Sequence, residues 1–267
     1  MLYELDSGDF SKVAHLFLGH KEYVPVFAVI DGNFPGRIFV DEKDSPNTAL
    51  VWATSRWAYL DGDPSISSFN QSLPGLVQNI VIPCSRQMNM NWFELYTRDS
   101  PEWTATIEKS LGQYKLQKHY EMVYAFDQQK YHSLAKSFGL PKGSWIQIKE
   151  LPILLPAARD VMFVSHRFKT KTSFGFELVK DGKIVSVCKS NGLISGKEFM
   201  IDVETFEEGD RCKGYATAVG IALIDFCLEE GYSPLWETTL DNISSRKLAS
   251  KLGFVEKESY PVYSIEF

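Results

Sequence analysis

The chain has little cysteine, and the cysteines it has follow no pattern. Cys84, Cys188, Cys212 and Cys227 stand at irregular intervals with no Cys-x-x-Cys among them, which points to reduced thiols rather than a disulfide framework. The five histidines (His15, His20, His119, His132 and His166) are scattered, with no His-x-x-x-His and no Cys/His cluster, so no metal site is expected. No apolar run is long enough to span a membrane. The opening MLYELDSGDF lacks the basic start and apolar stretch of a secretory leader, which makes the cytoplasm the expected location. Positive charge is in deficit too. The 28 Lys and Arg against 34 Asp and Glu leave a net charge of −6 and argue against a nucleic-acid surface. That acidic balance fits a cationic partner such as an amine. There is no low-complexity tract and no strong internal repeat.

What is present is enough for two domains of ordinary size: 267 residues, 44% of them hydrophobic and 23% charged. Residues 9–18 read as a short helix, with Asp9 as its cap and Phe10, Val13 and Phe17 on one face. VPVFAVI (24–30), GRIFV (36–40), TALVWATS (48–55), NIVIPC (79–84), WFELYT (92–97) and HYEMVYAF (119–126) read as strands, and 60–75 as a loop. PEWTATIEKSLG (101–112) reads as a helix with Pro at its first turn and Gly at its end. The tryptophans at 52, 57, 92 and 103 read as core before they read as a pocket. Prolines at 141, 152 and 156 interrupt the middle, and a domain boundary is expected near 130, dividing the chain into 1–130 and 131–267.

Beyond that boundary the pattern is clearer. DVMFVSHRF (160–168) is amphipathic, and SFGFELVK-DG-KIVSVCKS has the form of a β-hairpin. EFMIDVET (198–205) reads as a strand, Arg211 to Glu230 as one helix, and LWETTL (235–240) as a strand. SSRKLASKL (244–252) reads as a helix and VYSIEF (262–267) as a final strand. Several strands followed by a strand–helix–strand unit imply an α+β fold, a mixed sheet with helices packed against it. The first half runs hairpin, strand, helix, strand in a similar order.

The chemistry sits between Thr205 and the following helix. A short polar loop leads into Arg211-x-x-Gly214-x-Ala216, and Tyr215, Ala218, Val219, Ala222, Leu223 and Phe226 then recur at helical spacing. The first turn of a helix has backbone N–H groups without internal partners, and the helix dipole adds positive potential there. Small residues at 214 and 216 let a pyrophosphate come close to the backbone, and Arg211 and Lys213 add charge at the rim. Taken alone, the motif equally fits a plain loop before a helix. Downstream, however, comes Asn242, followed by a helix that ends in Leu252-Gly253-Phe254.

These paired motifs resemble the GNAT superfamily of N-acetyltransferases, over roughly residues 130–267. The run from Pro234 and Trp236 through Asn242, Ser245, Leu248 and Ala249 to Leu252-Gly253-Phe254 is similar to the subgroup containing the zwittermicin A resistance protein. The resemblance implies a GNAT-like C-terminal domain with a central, mixed and splayed sheet flanked by helices. Before it would stand a second α+β domain, a degenerate GNAT-like copy. It also implies acetyl-CoA as cosubstrate and no metal. The edge Val203–Thr205 would meet the acetyl and pantetheine end. Cys212, Lys213, Gly214, Tyr215, Ala216 and Thr217, beside Arg211, would hold the pyrophosphate, while Asn242 and Ser245 would touch the pantetheine arm. The sequence departs from the family in two places. Ala249 stands where many members carry a Tyr as general acid, and the loop from Thr205 to Arg211 is slightly longer than the commonest form.

An ammonium must lose a proton before it can attack a thioester, so a carboxylate base is expected. Glu237, five residues before Asn242, and Glu204, on the strand before the phosphate loop, are the candidates. Both can also be read as surface charges. Tyr260 is a candidate acid, with Tyr263 near it. Cys212 lies near a helix N-terminus, where thiol pKa falls, but no suitably spaced histidine supports an acyl-cysteine. The acidic run Glu207-Glu208-Gly209-Asp210 reads as solvated. The expected activity is direct transfer of an acetyl group from acetyl-CoA to the primary amine of a small molecule. The chain would act as a monomer or homodimer, with no nucleic-acid or membrane partner. The alternatives are a non-catalytic acyl-CoA-binding sensor and an acetyltransferase for a protein or peptide amine.

Overall fold

The structure is a computed structural model that describes residues 2–19, 23–54, 57–135, 138–151 and 173–267. Two compact units form among these residues. The first runs to Glu121 and includes Tyr260–Phe267, and the second runs from Met122 to Ser259. A cut at 130 differs from this division for two physical reasons. The strand Lys115–Phe126 is continuous, and its Tyr124 belongs to the second unit's core. The chain's last residues pair with a strand of the first unit.

The first unit holds β1 (Tyr3–Glu4), a 3-10 helix (Ser7–Phe17), α1 (Val24–Ile30), β2 (Gly36–Val40), β3 (Thr48–Ala53) and β4 (Trp57–Gly62). It continues through α2 (Ser67–Asn70), α3 (Leu73–Leu76), a π-helical turn (Val77–Val81), α4 (Ile82–Gln87), β5 (Trp92–Thr97), α5 (Pro101–Leu111) and the start of β6 (Lys115–Phe126). Its sheet order is β1-β2-β3-β4-β5-β12, where β12 is Phe254–Glu266. β4 and β5 are parallel, and Val262–Glu266 of β12 pairs antiparallel with β5. Every residue of β3 is buried, so this sheet is covered on both faces. Of the four tryptophans read as core, Trp52 and Trp103 are fully buried, while Trp57 and Trp92 are half-buried.

Two runs expected to be strands are helical. VPVFAVI forms α1, with Pro25 in its first turn and Val24, Pro25, Val26, Ala28 and Val29 buried. NIVIPC falls in the π-helical turn and α4, just where Pro83 removes a backbone donor. A short apolar run carries too little periodicity to separate helix from strand. The stretch 60–75 is only partly loop, since β4, α2 and α3 all enter it. Asp9 is not the cap of the first helix. Asp6 holds that position, and Asp9 pairs with Lys12 at 3.2 Å.

The second unit takes the end of β6, then α6 (Gln128–Ala135), β7 (Ser144–Leu151), β8 (Ser173–Lys180), β9 (Lys183–Ser195), β10 (Glu198–Thr205), α7 (Tyr215–Glu230), β11 (Ser233–Thr239), α8 (Ile243–Lys251) and the first part of β12. The strand order is β6-β11-β10-β9-β8-β7. Asp181 and Gly182 turn the expected hairpin at φ 50° and 75°, the left-handed pair of a two-residue loop. The amphipathic run 160–168 lies outside the described residues. α7 packs Tyr215, Ala218, Val219, Leu223 and Cys227 over β8, β9 and β10. Trp236, Ala249, Leu252 and Phe254 form a second cluster with Tyr124 and Tyr131.

Candidate active site

α7 begins at Tyr215, four residues later than the sequence suggested. The delay has a backbone cause. Cys212 and Gly214 take φ of 60° and 85°, and an α-helix cannot contain left-handed residues. At 214 a Cβ would also meet the ring of Phe138 at 3.2 Å, so glycine fits there for both conformation and space. The first helical hydrogen bond runs from the N–H of Ala218 to the carbonyl of Gly214, at 3.0 Å. The N–H groups of Tyr215, Ala216 and Thr217 therefore precede the ladder, and all three residues line a cavity of about 530 Å³.

The cavity opens where two parallel strands part. β10 and β11 pair at Glu198↔Ser233, Phe199↔Pro234 and Met200↔Leu235, and the ladder stops there although the strands continue to Thr205 and Thr239. Val203, Glu204 and Thr205 line one side of the resulting wedge. Asp210 to Cys212 and Gly214 to Thr217 line the loop and helix start, and Asn242 to Ser245 with Lys247, Leu248 and Lys251 line the far side. α7 and α8 approach closely beneath it, because at Gly220 a Cβ would fall 2.5 Å from Leu252 Cδ1. Gly253, at φ 85°, lies where a Cβ would stand 2.7 Å from the backbone of Tyr131. The glycine of the Leu-Gly-Phe run is thus fixed by α6 crossing over it.

Of the residues singled out from sequence, Val203, Glu204, Thr205, Arg211, Cys212, Gly214, Tyr215, Ala216, Thr217, Asn242 and Ser245 meet at this one cavity. Lys213, Glu237 and Tyr260 are not among the residues lining it. Lys213 turns back to Asp210 at 3.0 Å. Tyr260 packs in the first unit, its ring 5.6 Å from that of Tyr23 and 5.9 Å from that of Tyr96. Glu237 and Glu204 share a sheet face. Ile201, Val203 and Trp236 face the helix side, and alternation puts both glutamates on the other. Asn242 caps α8, its Oδ1 accepting from the Ser245 N–H at 3.1 Å. Ser245 Oγ accepts in turn from Trp236 Nε1 at 3.1 Å. Ala249 is fully buried against this cluster, so the helix carries no hydroxyl at the position of the usual acid.

Charge around the site has definite partners. Tyr215 accepts a hydrogen bond from Lys180, which raises the lysine above its ordinary value. Arg246 reaches Glu256 at 2.9 Å and Tyr124 Oη at 3.2 Å, which lowers Glu256 and ties α8 to β12. Burial pushes the Cys227 thiol up to about 12 and Cys188 well above its ordinary range, so neither supplies a thiolate. Among the described residues no cluster of His, Cys, Asp or Glu could hold a metal, and no helix is long and apolar enough to cross a membrane. Sequence reasoning missed the cavity-lining residues of α8 (Ile243, Ser244, Lys247, Leu248 and Lys251). Lysines spaced four apart on one helix were the available signal.

Known proteins resemble this chain in sequence and in fold. A Bacillus subtilis (strain 168) protein, described as the uncharacterized N-acetyltransferase YdfB, is 26% identical over 271 residues, spanning 98% of each chain. A GCN5-related N-acetyltransferase-like protein from Streptococcus suis 89/1591 matches with a TM-score of 0.68 at 23% identity, over 97% of this chain and 99% of that one. A tandem GNAT protein from the clavulanic acid biosynthesis pathway matches with a TM-score of 0.62 at 12% identity, over 100% and 98%. Both structural matches show the same mixed α+β architecture, and the second runs a tandem arrangement along the whole chain. The family model for GNAT acetyltransferase covers residues 14–152 and 160–263, and a chain matched so fully belongs to that family of acyltransferases.

Proposed function

We propose that this protein transfers an acetyl group directly from acetyl-CoA to the primary amine of a small molecule. The observation that carries the reading is the wedge between β10 and β11, whose walls are the edge Val203–Thr205, the unbonded first turn of α7 and the capped start of α8. Such a wedge suits a thioester arm with its pyrophosphate on the N–H groups of Tyr215, Ala216 and Thr217, beside Arg211. Asn242 uses Oδ1 for its own helix and keeps its amide N–H for a pantetheine carbonyl. Cys212 supports the loop through its backbone, and Lys213 through Asp210.

In the reaction the amine nitrogen attacks the thioester carbonyl, an N–C bond forms, the C–S bond breaks, and the sulfur leaves as a thiolate that takes up a proton. Glu204 and Glu237 stand on the sheet face away from α7 and α8, so an amine arriving there meets a carboxylate able to take its proton. The wedge lining favours Glu204 as base. Tyr260, held among tyrosines of the first unit, is the weaker candidate for the acid. The likeness of the Pro234–Phe254 run to the zwittermicin A resistance subgroup suggests an antibiotic-like or amino-acid-derived acceptor.

Calorimetric titration with acetyl-CoA tests the reading. Micromolar binding to the native chain that is lost in Gly214→Val/Ala216→Val supports the cradle. Ala216→Val alone, a helical position free of backbone strain, separates blockage from misfolding. No binding to the folded native protein would end it. The buried Ala249 favours a second reading, in which the chain binds acyl-CoA as a sensor without turnover. Amine-dependent release of coenzyme A in a broad panel would remove that alternative.

A further inference from the structure

Three large apolar side chains stand exposed in a row on the second unit's sheet. Trp145 on β7, Ile184 on β9 and Phe206 just after β10 are 52%, 41% and 45% exposed. The pairing puts them in line. Trp145↔Val179 joins β7 to β8, Val179↔Ile184 joins β8 to β9, and the Phe206 N–H donates to the Val185 carbonyl at 3.2 Å. They share a face as well. Ile146 and Leu178 pack into the α7 core, so alternation turns Trp145 and Val179 to the opposite side. Ile184 lies opposite Val179 on that side, because the register shift here makes Val185 the extra residue of a bulge. Phe206 follows Glu204 by two residues and takes the same face.

Single exposed apolar residues are ordinary, but a contiguous row marks a contact surface. Three strand spacings of about 4.8 Å make this one roughly 14 Å long. It starts two residues, or about 7 Å, from Glu204, the carboxylate that lines the wedge. Glu207 and Glu208 stand exposed just beyond Phe206. Negative charge at one end and apolar surface along the rest complement an ammonium carried on an apolar tail. We propose that this row seats the tail of the acceptor, and that the acceptor is a monoamine on an alkyl or aryl chain rather than a polyamine. The inference rests on the acetyl-transfer reading given above, with Glu204 taking the proton of the attacking nitrogen. Trp145 closes the far end with a broad, stiff ring, and Val179, buried between Trp145 and Ile184, completes the floor.

The test measures coenzyme A release from acetyl-CoA by the full chain, with propylamine, hexylamine, octylamine and 1,8-diaminooctane as acceptors. From propylamine to octylamine kcat/KM is expected to rise about two- to fourfold per methylene, mainly through KM. The diamine, equal in length to octylamine but charged at both ends, should fall well below it. Trp145→Ala/Ile184→Ser should cut the octylamine-to-propylamine ratio by roughly tenfold or more, and Trp145→Phe should keep most of it. The ratio is internal to each protein, so a general loss of activity does not move it. Unchanged melting curves verify the fold. A flat chain-length series, equal use of the diamine, or an undiminished ratio in the double variant overturns the tail seat and leaves the transfer reading intact. Self-association in sedimentation that the double variant abolishes without moving the ratio gives the row to a second copy of the chain and also overturns it. No release with these or any amine of a broad panel, from a chain that binds acetyl-CoA, overturns both.

Discussion

The first unit crosses from β4 to β5 and the second from β10 to β11, and both crossings leave the two strands parallel. Each follows an antiparallel run of four strands, β1 to β4 and β7 to β10, and each is followed by a helix and a long last strand: α5 and β6 in one, α8 and β12 in the other. The difference lies in the crossing itself. In the first unit the ladder holds to the last residue of β5, at Leu60↔Thr97, and the helical segment is broken into short pieces. Gly62 ends β4 at φ 114°, with a hypothetical Cβ 2.2 Å from the Asn47 carbonyl, so this glycine serves chain packing. In the second unit the ladder stops early, one sixteen-residue helix follows, and Gly214 faces a cavity. The same connectivity therefore yields a closed, doubly covered sheet in one copy and an open wedge in the other.

Substitutions can break this contrast, and the largest effect is expected at Gly62. Gly62→Ala should cost about 3 kcal/mol or more, through backbone strain and collision with a rigid carbonyl. Thermal unfolding should show that loss while coenzyme affinity of the folded protein stays unchanged. Gly214→Val/Ala216→Val should do the reverse, weakening coenzyme binding by roughly 100-fold for a smaller change in melting. If both sites moved affinity equally, the division of labour would be wrong.

Between these lies Gly220→Ala, where the end of the Leu252 side chain must give way. A loss of about 1–2 kcal/mol is expected, with weakened binding as α7 and α8 are pushed apart. Asn242→Ala removes a cap worth about 1 kcal/mol and takes a cavity-lining amide with it, so stability and affinity should fall together. Asn242→Asp would restore the cap and leave the affinity low.

The smallest effect concerns pH. Arg246 lowers the Glu256 carboxyl below its ordinary value of 4.5. The pair's contribution is therefore present above about pH 4.5 and fades as the pH falls through the lowered value. At this exposed position Glu256→Gln should cost only a few tenths of a kcal/mol at neutral pH and flatten the acid limb of the stability curve. An unchanged acid limb would detach this pair from the anchoring of α8.

Several features were readable from sequence because their signals are local. The Asp181-Gly182 turn, the small residues at 214 and 216 and the helical periodicity after Tyr215 each depend on a few neighbouring residues, and the structure places them accordingly. The runs at 24–30 and 79–84 could not be resolved that way. The first is too uniformly apolar to show a period, and the second, with Asn79 and Pro83 exposed, is too short to show one. The place of Tyr260 was hidden for another reason: the chain returns to the first unit only at its end, and no local pattern reports a partner strand so distant in sequence.

The sequence by itself pointed to the loop before α7 as a candidate anion site, because small residues at 214 and 216 followed by helical periodicity are local signals, whereas the left-handed backbone at Cys212 and Gly214 came from the structure. It also determined the family, through two motifs held at a fixed separation. Only the tertiary structure decided that the β10–β11 ladder stops at Met200↔Leu235, that Lys247 and Lys251 look into the same cavity as Gly214, and that Gly253 is pinned by Tyr131. These depend on how far apart packed elements are held, a balance of side-chain volumes spread over the whole core.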